Sequence, residues 1–278
     1  MTPQDFQIMS TLVRERSGLV LGEDKAYLLE SRLNPITRKY GMKSLEDLID
    51  AIKIKRDENL IVEVVEAMTT NESLFFRDNK PFDQLRDLIF PQLLESRASN
   101  RRIRIWSAAC SSGQEPYSIA MLIKEFGAPL TNWNIEIVAT DLSEEILNRA
   151  RAGVYSQFEV QRGLPVTLLV KYFKQDGDRW EIDPAIRSMV SYRNFNLLED
   201  PSSLGIFDIV LCRNVLIYFD QATKGDVLDR ISKVMPTDGT LYLGGAETVL
   251  GISDEFEPVA GRRGLYRKPS AEPARLSA

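Results

Sequence analysis

Four runs of this sequence carry side chains suited to holding a small polar ligand. Ala109-Cys110-Ser111-Ser112-Gly113-Gln114-Glu115-Pro116-Tyr117-Ser118 follows the apolar stretch Ile103 to Ala108 and leads into a helical pattern. Small side chains let the backbone approach a ligand closely, and a helix N-terminus offers free N–H groups. The run contains no Gly-x-Gly-x-x-Gly, so a ligand without phosphate fits it better than a dinucleotide. An ordinary tight strand–helix turn has the same composition. Asp141, in Ala139-Thr140-Asp141-Leu142-Ser143, ends a second apolar run. A carboxylate there can accept from both hydroxyls of a ribose, or it can cap the next helix, a role Ser143 could also fill. Cys212-Arg213-Asn214-Val215-Leu216-Ile217-Tyr218-Phe219-Asp220 sets Arg213 and Asn214 directly beyond a third apolar run, as ligand groups or as a salt-bridged loop. Asn196-Leu197-Leu198, after Val190 to Phe195, is a further candidate for the same edge.

What is missing also constrains the chemistry. The 278 residues include no histidine, which rules out a Ser-His-Asp triad, a Cys-His pair and a histidine general base. Two cysteines, Cys110 and Cys212, cannot make a structural zinc site alone, and their place after apolar runs suits buried side chains better than a disulfide framework. The net charge of −5 argues against a general nucleic-acid binder. No run approaches the roughly 20 apolar residues of a membrane span, and the N-terminus lacks a basic-then-apolar signal. The expected location is the cytoplasm.

These runs need a scaffold, and the hydrophobic spacing supplies one. Residues 1–70 read as helical: Phe6, Met9 and Val13 recur at helical spacing, as do Leu29, Leu33, Ile36 and Tyr40, then Leu45, Leu48, Ile49 and Ile52, then Leu60, Ile61, Val64, Val65 and Met68. Ser44 with Asp47 resembles a capping box. Met68-Thr69-Thr70-Asn71-Glu72-Ser73-Leu74-Phe75-Phe76-Arg77 reads, by itself, as a linker with a hydrophobic anchor. It opens a connecting region, 71–100, that holds a first helix.

From residue 101 strand and helix alternate, which predicts a parallel sheet covered on both faces. The expected strands are 103–108, 135–140, 190–195, 207–212 and 240–243, with helices over 115–126, 143–151 and 221–234. An antiparallel edge hairpin is expected near 256–259 and 265–267. Tyr172-Phe173-Lys174, the turn at Asp176-Gly177-Asp178 and Arg179 to Ile182 predict a small hairpin inserted at about 154–190. The main domain runs from 101 to 268, and 269–278 is expected to be a flexible tail.

Taken together, the runs resemble the CheR family, the chemotaxis receptor methyltransferases. Thr69-Thr70-Asn71 with Phe75-Phe76-Arg77 resembles the family's linker motif. Trp106-Ser107-Ala108-Ala109-Cys110 with Gly113, Glu115, Pro116, Tyr117 and Ser118 resembles its first cofactor loop. Ala139-Thr140-Asp141, Asn196-Leu197-Leu198 and the run from Cys212 to Asp220 complete the set, in the same order along essentially the whole chain.

The resemblance implies a Rossmann-like α/β methyltransferase sheet, an all-α N-terminal domain and a small inserted antiparallel β-subdomain. It implies S-adenosylmethionine as methyl donor, no metal, and glutamates in the cytoplasmic helical region of methyl-accepting chemoreceptors as acceptors. Position by position, the implied cofactor contacts are Asn71, Ser73, Arg77, Glu115, Asp141, Asn196, Leu197, Arg213 and Asn214. Arg77 and Tyr218 would orient the acceptor, with Tyr218 near the transferring methyl. Gln114 and Ser73 depart from the family's usual Glu and Thr but keep hydrogen-bonding capacity.

The basic cluster Arg32, Arg38, Lys39 and Lys43, with no acid between residues 31 and 45, would dock an acidic receptor helix or form a solvated face. The loop around Gln175 to Arg179 is short, which argues against docking on a receptor tail peptide. A glutamate acceptor is already ionised near neutral pH, so transfer needs no proton removed, in keeping with the missing histidine. A non-catalytic cofactor sensor and a small-molecule or RNA methyltransferase are the competing readings. A monomer is expected.

Overall fold

Side chains that accept a backbone N–H stand where three of the first four helices begin. In the computed structural model, which describes residues 2–269, Thr2 opens α1 (Pro3–Ser17). Its hydroxyl accepts from the Asp5 amide and the Asp5 carboxylate accepts from the Thr2 amide, both at 3.2 Å. This reciprocal cap satisfies two amides the helix itself leaves unpaired. After α2 (Ala26–Lys39), Ser44 opens α3 (Leu45–Lys55) and Asp57 opens α4 (Glu58–Met68). Only half of the expected Ser44–Asp47 box forms: the Asp47 carboxylate takes the Lys43 amide at 2.9 Å. The apolar positions spaced along these helices are the buried ones, Tyr40 excepted. Tyr40 sits just past the end of α2, is 38% exposed, and donates its hydroxyl to Glu63 at 2.9 Å.

The chain forms two compact units. Among the described residues, one comprises the helices up to Thr70 with the segment Tyr218–Lys224; the other comprises Asn71–Ile217 and the chain from Gly225 to Pro269. Tyr218–Lys224 thus groups with the helices and not with the strands around it in sequence. Its Tyr218 carbonyl accepts from the Val20 amide at 2.9 Å, and Asp220 pairs with Arg14 at 2.6 Å.

The second unit begins with α5 (Lys80–Gln84), a π-turn over Leu85–Ile89, and α6 (Phe90–Ser96). Pro91 cannot donate into the helix, and just before it the Phe90 amide reaches back to Leu85, one residue further than an α-helix would. Then come β1 (Arg102–Ala108), α7 (Gln114–Phe126), β2 (Asn134–Asp141) and α8 (Glu144–Ala152). The inserted region holds β3 (Val154–Ser156), α9 (Gln157–Gln161), α10 (Val166–Tyr172), β4 (Phe173–Asp176), β5 (Arg179–Ile182) and α11 (Pro184–Arg187). The chain closes with β6 (Val190–Asn194), β7 (Ile209–Cys212), α12 (Gln221–Lys233), β8 (Thr240–Leu243), β9 (Glu257–Pro258) and β10 (Leu265–Arg267).

Among the described residues the main sheet has seven strands in the order β6-β2-β1-β7-β8-β10-β9. The first five are parallel and the last two antiparallel, as the spacing predicted. β7 is buried at every position, the mark of a strand covered on both faces. It starts two residues later than expected, although the backbone of Asp208 still bonds to Arg104 and Thr240 at 2.9 Å each; the Asp208 side chain binds Arg97 and the Arg104 amide at 2.8 Å each. The expected hairpin is β4–β5, but β3 adds a third strand beside β5. Three residues are too few for alternation to show. The tail expected to be flexible lies, from residue 270, outside the described residues. No described helix is long and apolar enough to cross a membrane.

The order of strands reverses between β1 and β7. In an open parallel sheet the loops beyond the carboxyl ends diverge at that point and leave room for a ligand.

Candidate active site at the strand ends

The loop beyond β1 is bent by its backbone. Ala109 (φ 57°) and Ser111 (φ 52°) both take left-handed conformations, at about 1–2 kcal/mol each for a residue with a Cβ. Hydrogen bonds hold them there. The Cys110 amide donates to Thr140 O at 2.8 Å, and the Ser111 hydroxyl to Asn71 O at 2.7 Å. The buried Tyr155 hydroxyl donates to Ser112 O at 2.8 Å. Gly113 must be glycine: its φ is 91°, and a Cβ would stand 2.7 Å from the Tyr192 hydroxyl.

Asp141 ties this loop to the next. One carboxylate oxygen accepts from the Ser111 amide at 2.8 Å and the other from the Ser143 amide at 3.1 Å. It thus helps to start α8 while standing at the carboxyl end of β2, where a carboxylate oxygen can accept from more than one donor and so can serve a ligand hydroxyl as well. Ser143 caps too, accepting from Ile146 at 3.3 Å.

Glu115 and Arg213 form a buried pair at 2.9 Å, and Glu115 also accepts from Ser107 at 2.8 Å. Burial pushes the Glu115 carboxyl above its ordinary value, with Arg213 the strongest opposing influence. The second terminal nitrogen of the Arg213 guanidinium binds the Arg77 carbonyl at 2.9 Å and the Asp78 carboxylate at 2.7 Å. Arg213 therefore fastens the linker to the sheet.

That linker is strained and anchored. Phe76, Asp78 and Asn79 all have positive φ. Phe75 packs edge-on against Tyr155 and Phe173, and the Phe76 amide donates to Ser118 at 3.0 Å. Gly163 presses on it so closely that a Cβ there would meet Phe75 O at 2.1 Å. Arg77 donates to Glu72 O at 3.2 Å, and Glu72 pairs with Arg162 at 2.8 Å. Asn71 and Ser73 lie half-buried in the same stretch.

At the far strands, Asn214 stands in left-handed backbone (φ 60°) beyond β7. Asn196 closes a turn beyond β6, accepting from the Leu198 amide at 3.0 Å, with Leu197 half-buried between them. Direct contacts thus join Asn71, the β1 loop and Asp141 in one group, and Glu115, Arg213 and Arg77 in another.

Tyr218 belongs to the helical unit. So does the basic cluster, in which Arg32 is already engaged. Its half-buried guanidinium donates to Met68 O at 2.6 Å, Thr69 O at 2.8 Å and Thr70 at 3.1 Å, closing the end of α4. Arg38, Lys39 and Lys43 are exposed, and Lys39 meets an acid that the local sequence does not contain, Glu63 of α4, at 2.8 Å.

Sequence reasoning named Ser118 in the first loop's motif but not its hold on the linker, and it missed Glu247, whose carboxylate gathers the loops beyond β7 and β8. The available signal for Glu247 was an acid closely following a strand and a Gly-Gly pair.

The donor set suits a ligand with ribose hydroxyls and no phosphate. Asp141 offers carboxylate oxygens at the end of β2, and both terminal nitrogens of the buried Arg213 guanidinium are already engaged. Comparison with known proteins agrees. Residues 4–69 match the family model described as CheR methyltransferase, all-alpha domain, and residues 71–265 match CheR methyltransferase, SAM binding domain. The chain is 43% identical over 265 residues to the chemotaxis protein methyltransferase Cher2 of Pseudomonas putida, covering 94% of this chain and 96% of that one. It is 44% identical over 270 residues to chemotaxis protein methyltransferase 1 of Pseudomonas aeruginosa, covering 95% and 97%. Among solved structures, a TehB-like SAM-dependent methyltransferase from Corynebacterium glutamicum aligns at 14% identity over 69% of this chain and 97% of that one, with a TM-score of 0.38, too slight a likeness to support any argument. With both parts of the chain matched, and relatives above 40% identity along nearly their whole length, the chain belongs to the CheR family of S-adenosylmethionine-dependent methyltransferases.

Proposed function

We propose that this protein methylates glutamate side chains of bacterial chemoreceptors, giving glutamate methyl esters and S-adenosylhomocysteine, for sensory adaptation. The observation that carries the choice of acceptor is the state of the titratable groups around the strand ends. There is no histidine. Burial pushes the Cys110 and Cys212 thiols well up, and the Tyr117 hydroxyl up to about 12. Glu115 is committed to Arg213 and Ser107, and Asp141 to two backbone amides. None of these groups is placed to take a proton from an alcohol or an ammonium group near neutral pH. A glutamate carboxylate needs no base, because it is already ionised there.

When bound, S-adenosylmethionine supplies a methyl group on a positively charged sulfur, an electrophile that a carboxylate oxygen attacks directly. The protein contributes positioning. Asp141 is suited to the ribose hydroxyls, while Asn71, Ser73 and Arg77 present polar groups from the linker. Asn196, Leu197 and Asn214 contribute from the ends of β6 and β7. Glu115 and Arg213 act through the linker they fasten. Arg77, with its planar fork of donors, and Tyr218 are the groups proposed to orient the acceptor carboxylate. Arg38, Lys39 and Lys43 are proposed to meet an acidic receptor helix. The two-residue turn between β4 and β5 favours a mode of docking that uses no receptor tail peptide. The protein is proposed to act as a cytoplasmic monomer.

The test incubates the purified protein with methyl-labelled S-adenosylmethionine and receptor-containing membranes, then releases label with mild base. Base-labile label on a receptor-sized band, lost in Asp141→Ala, is expected. Base-stable label would move the acceptor away from a carboxylate. Cofactor binding without any label on receptor would favour a sensor.

A further inference from the structure

Beyond β8 the chain reads Gly244-Gly245-Ala246-Glu247. The Glu247 carboxylate turns back across the strand ends and gathers backbone amides. One oxygen accepts from Gly244 at 2.6 Å and Asn214 at 2.8 Å. The other accepts from Val215 at 2.9 Å and Ile217 at 3.2 Å. Both lone pairs of each oxygen are thereby used, in charge-assisted hydrogen bonds. Three of these amides belong to the loop beyond β7. β7 and β8 are adjacent and parallel, with Cys212 opposite Leu243, so the two loops leave the sheet side by side.

Among the residues this carboxylate holds, one stands in strained backbone. Asn214 has φ 60°, a conformation that asparagine tolerates better than most side chains. Gly244 lies directly against it: a Cβ there would stand 2.7 Å from Asn214 Nδ2 and 2.9 Å from its amide nitrogen. The Asn214 side chain is thus confined on the β8 side by close-packed backbone, and its own backbone is held by Glu247. The far end is held too, since Arg263 donates to Gly245 O at 2.8 Å and Tyr266 to Glu247 O at 3.3 Å.

We propose that Glu247 is a positioning residue for methyl transfer: it holds Asn214 in left-handed backbone so that the Asn214 side chain is presented to the cofactor. The inference rests on the reading that Asn214 contacts S-adenosylmethionine. Glu247 touches no reacting atom, and its effect on the cofactor passes through Asn214. Glu247→Gln separates this from ordinary structural support. Glutamine keeps the shape, but whichever way its amide faces, an NH2 group confronts two backbone N–H donors.

Calorimetry with S-adenosylhomocysteine and steady-state methylation on the full-length protein supply the readouts. In Glu247→Gln, affinity for S-adenosylhomocysteine should fall, and KM for S-adenosylmethionine rise, by roughly tenfold to a hundredfold, with KM for receptor changing less. Asn214→Gly keeps the backbone and removes the amide, so it should lose affinity alone. Adding Glu247→Gln to it should then cost less than threefold more, because the positioned group is already gone. Affinity in Glu247→Gln within twofold of the unsubstituted protein overturns the proposal, as do losses that multiply in the double variant. Should Glu247→Gln fail to fold, Gly244→Ala sets a Cβ 2.7 Å from both Asn214 Nδ2 and the Glu247 carboxylate, breaking the same arrangement, and the same KM signature is expected. An unchanged KM for S-adenosylmethionine there overturns the proposal. Absence of binding by the unsubstituted protein would instead remove the cofactor reading on which it rests.

Discussion

Replacing Arg213 with methionine tests the idea that this cation is a fastener inside the sheet unit. The Arg213 side chain is 2% exposed and its partner Glu115 is 12% exposed. Methionine keeps an unbranched apolar stem but removes the charge, leaving Glu115 with only the Ser107 hydroxyl. Removing one member of a buried pair costs about 3–5 kcal/mol, because the remaining charge is uncompensated. The Asp78 contact adds little, since that carboxylate is 52% exposed and water replaces the lost cation.

The loss should depend on pH in a defined direction. Burial already holds the Glu115 carboxyl above its ordinary value, and Arg213 is the strongest opposing influence. Without it the carboxyl rises further. Between the ordinary and the raised value the folded protein binds a proton that the unfolded chain does not, so stability falls as pH rises through that interval. The deficit of Arg213→Met is therefore greatest near pH 8 and shrinks toward pH 5. Equilibrium urea unfolding at pH 5, 6, 7 and 8 measures it. The double variant Arg213→Met/Glu115→Gln, which has no orphaned charge, should recover part of the stability and show a flatter pH profile. A deficit under about 1 kcal/mol at pH 7, or one indifferent to pH, would refute the reasoning.

Other perturbations separate the parts of the molecule. Arg32→Ala removes three donors from the end of α4 and should destabilise the helical unit by roughly 1–3 kcal/mol, with S-adenosylhomocysteine affinity unchanged by calorimetry. Gly163→Ala forces a Cβ into the Phe75 carbonyl; the linker must move, and cofactor affinity should drop at least tenfold on the scale of a displaced binding group. Arg77→Ala should cut the rate of transfer strongly, and near-normal turnover would remove Arg77 from the mechanism. Charge reversal at Arg38 and Lys43 should weaken receptor methylation while calorimetry shows cofactor affinity intact; equal loss of both would point to misfolding.

Much of the fold could be read from spacing because its causes are local. The stripes Phe6–Met9–Val13 and Leu45–Leu48–Ile49–Ile52 repeat within one or two turns, and the residues involved are buried. β8 falls at Thr240–Leu243 as expected, bounded by the turn at Asp238-Gly239. The errors also have identifiable causes. β3 is too short to alternate visibly, and Tyr40 continues a stripe after its helix has ended.

The alternation of strand and helix, the small-residue loop after β1, the carboxylate closing β2 and the absence of a histidine base were all legible in the amino-acid order. Those features follow from residue type and short-range spacing, which act before the chain folds. The partners of the charged groups were not legible there and came from packing. Glu115 meets Arg213 across 98 positions, Asp141 meets the Ser111 amide across 30, and Glu247 meets Asn214 across 33. Arg32, read as a docking residue, is taken up by the end of a helix 36 positions later. An ionic side chain can choose among many partners in an unfolded chain, and it is packing, bringing distant segments together, that fixes which ones it keeps.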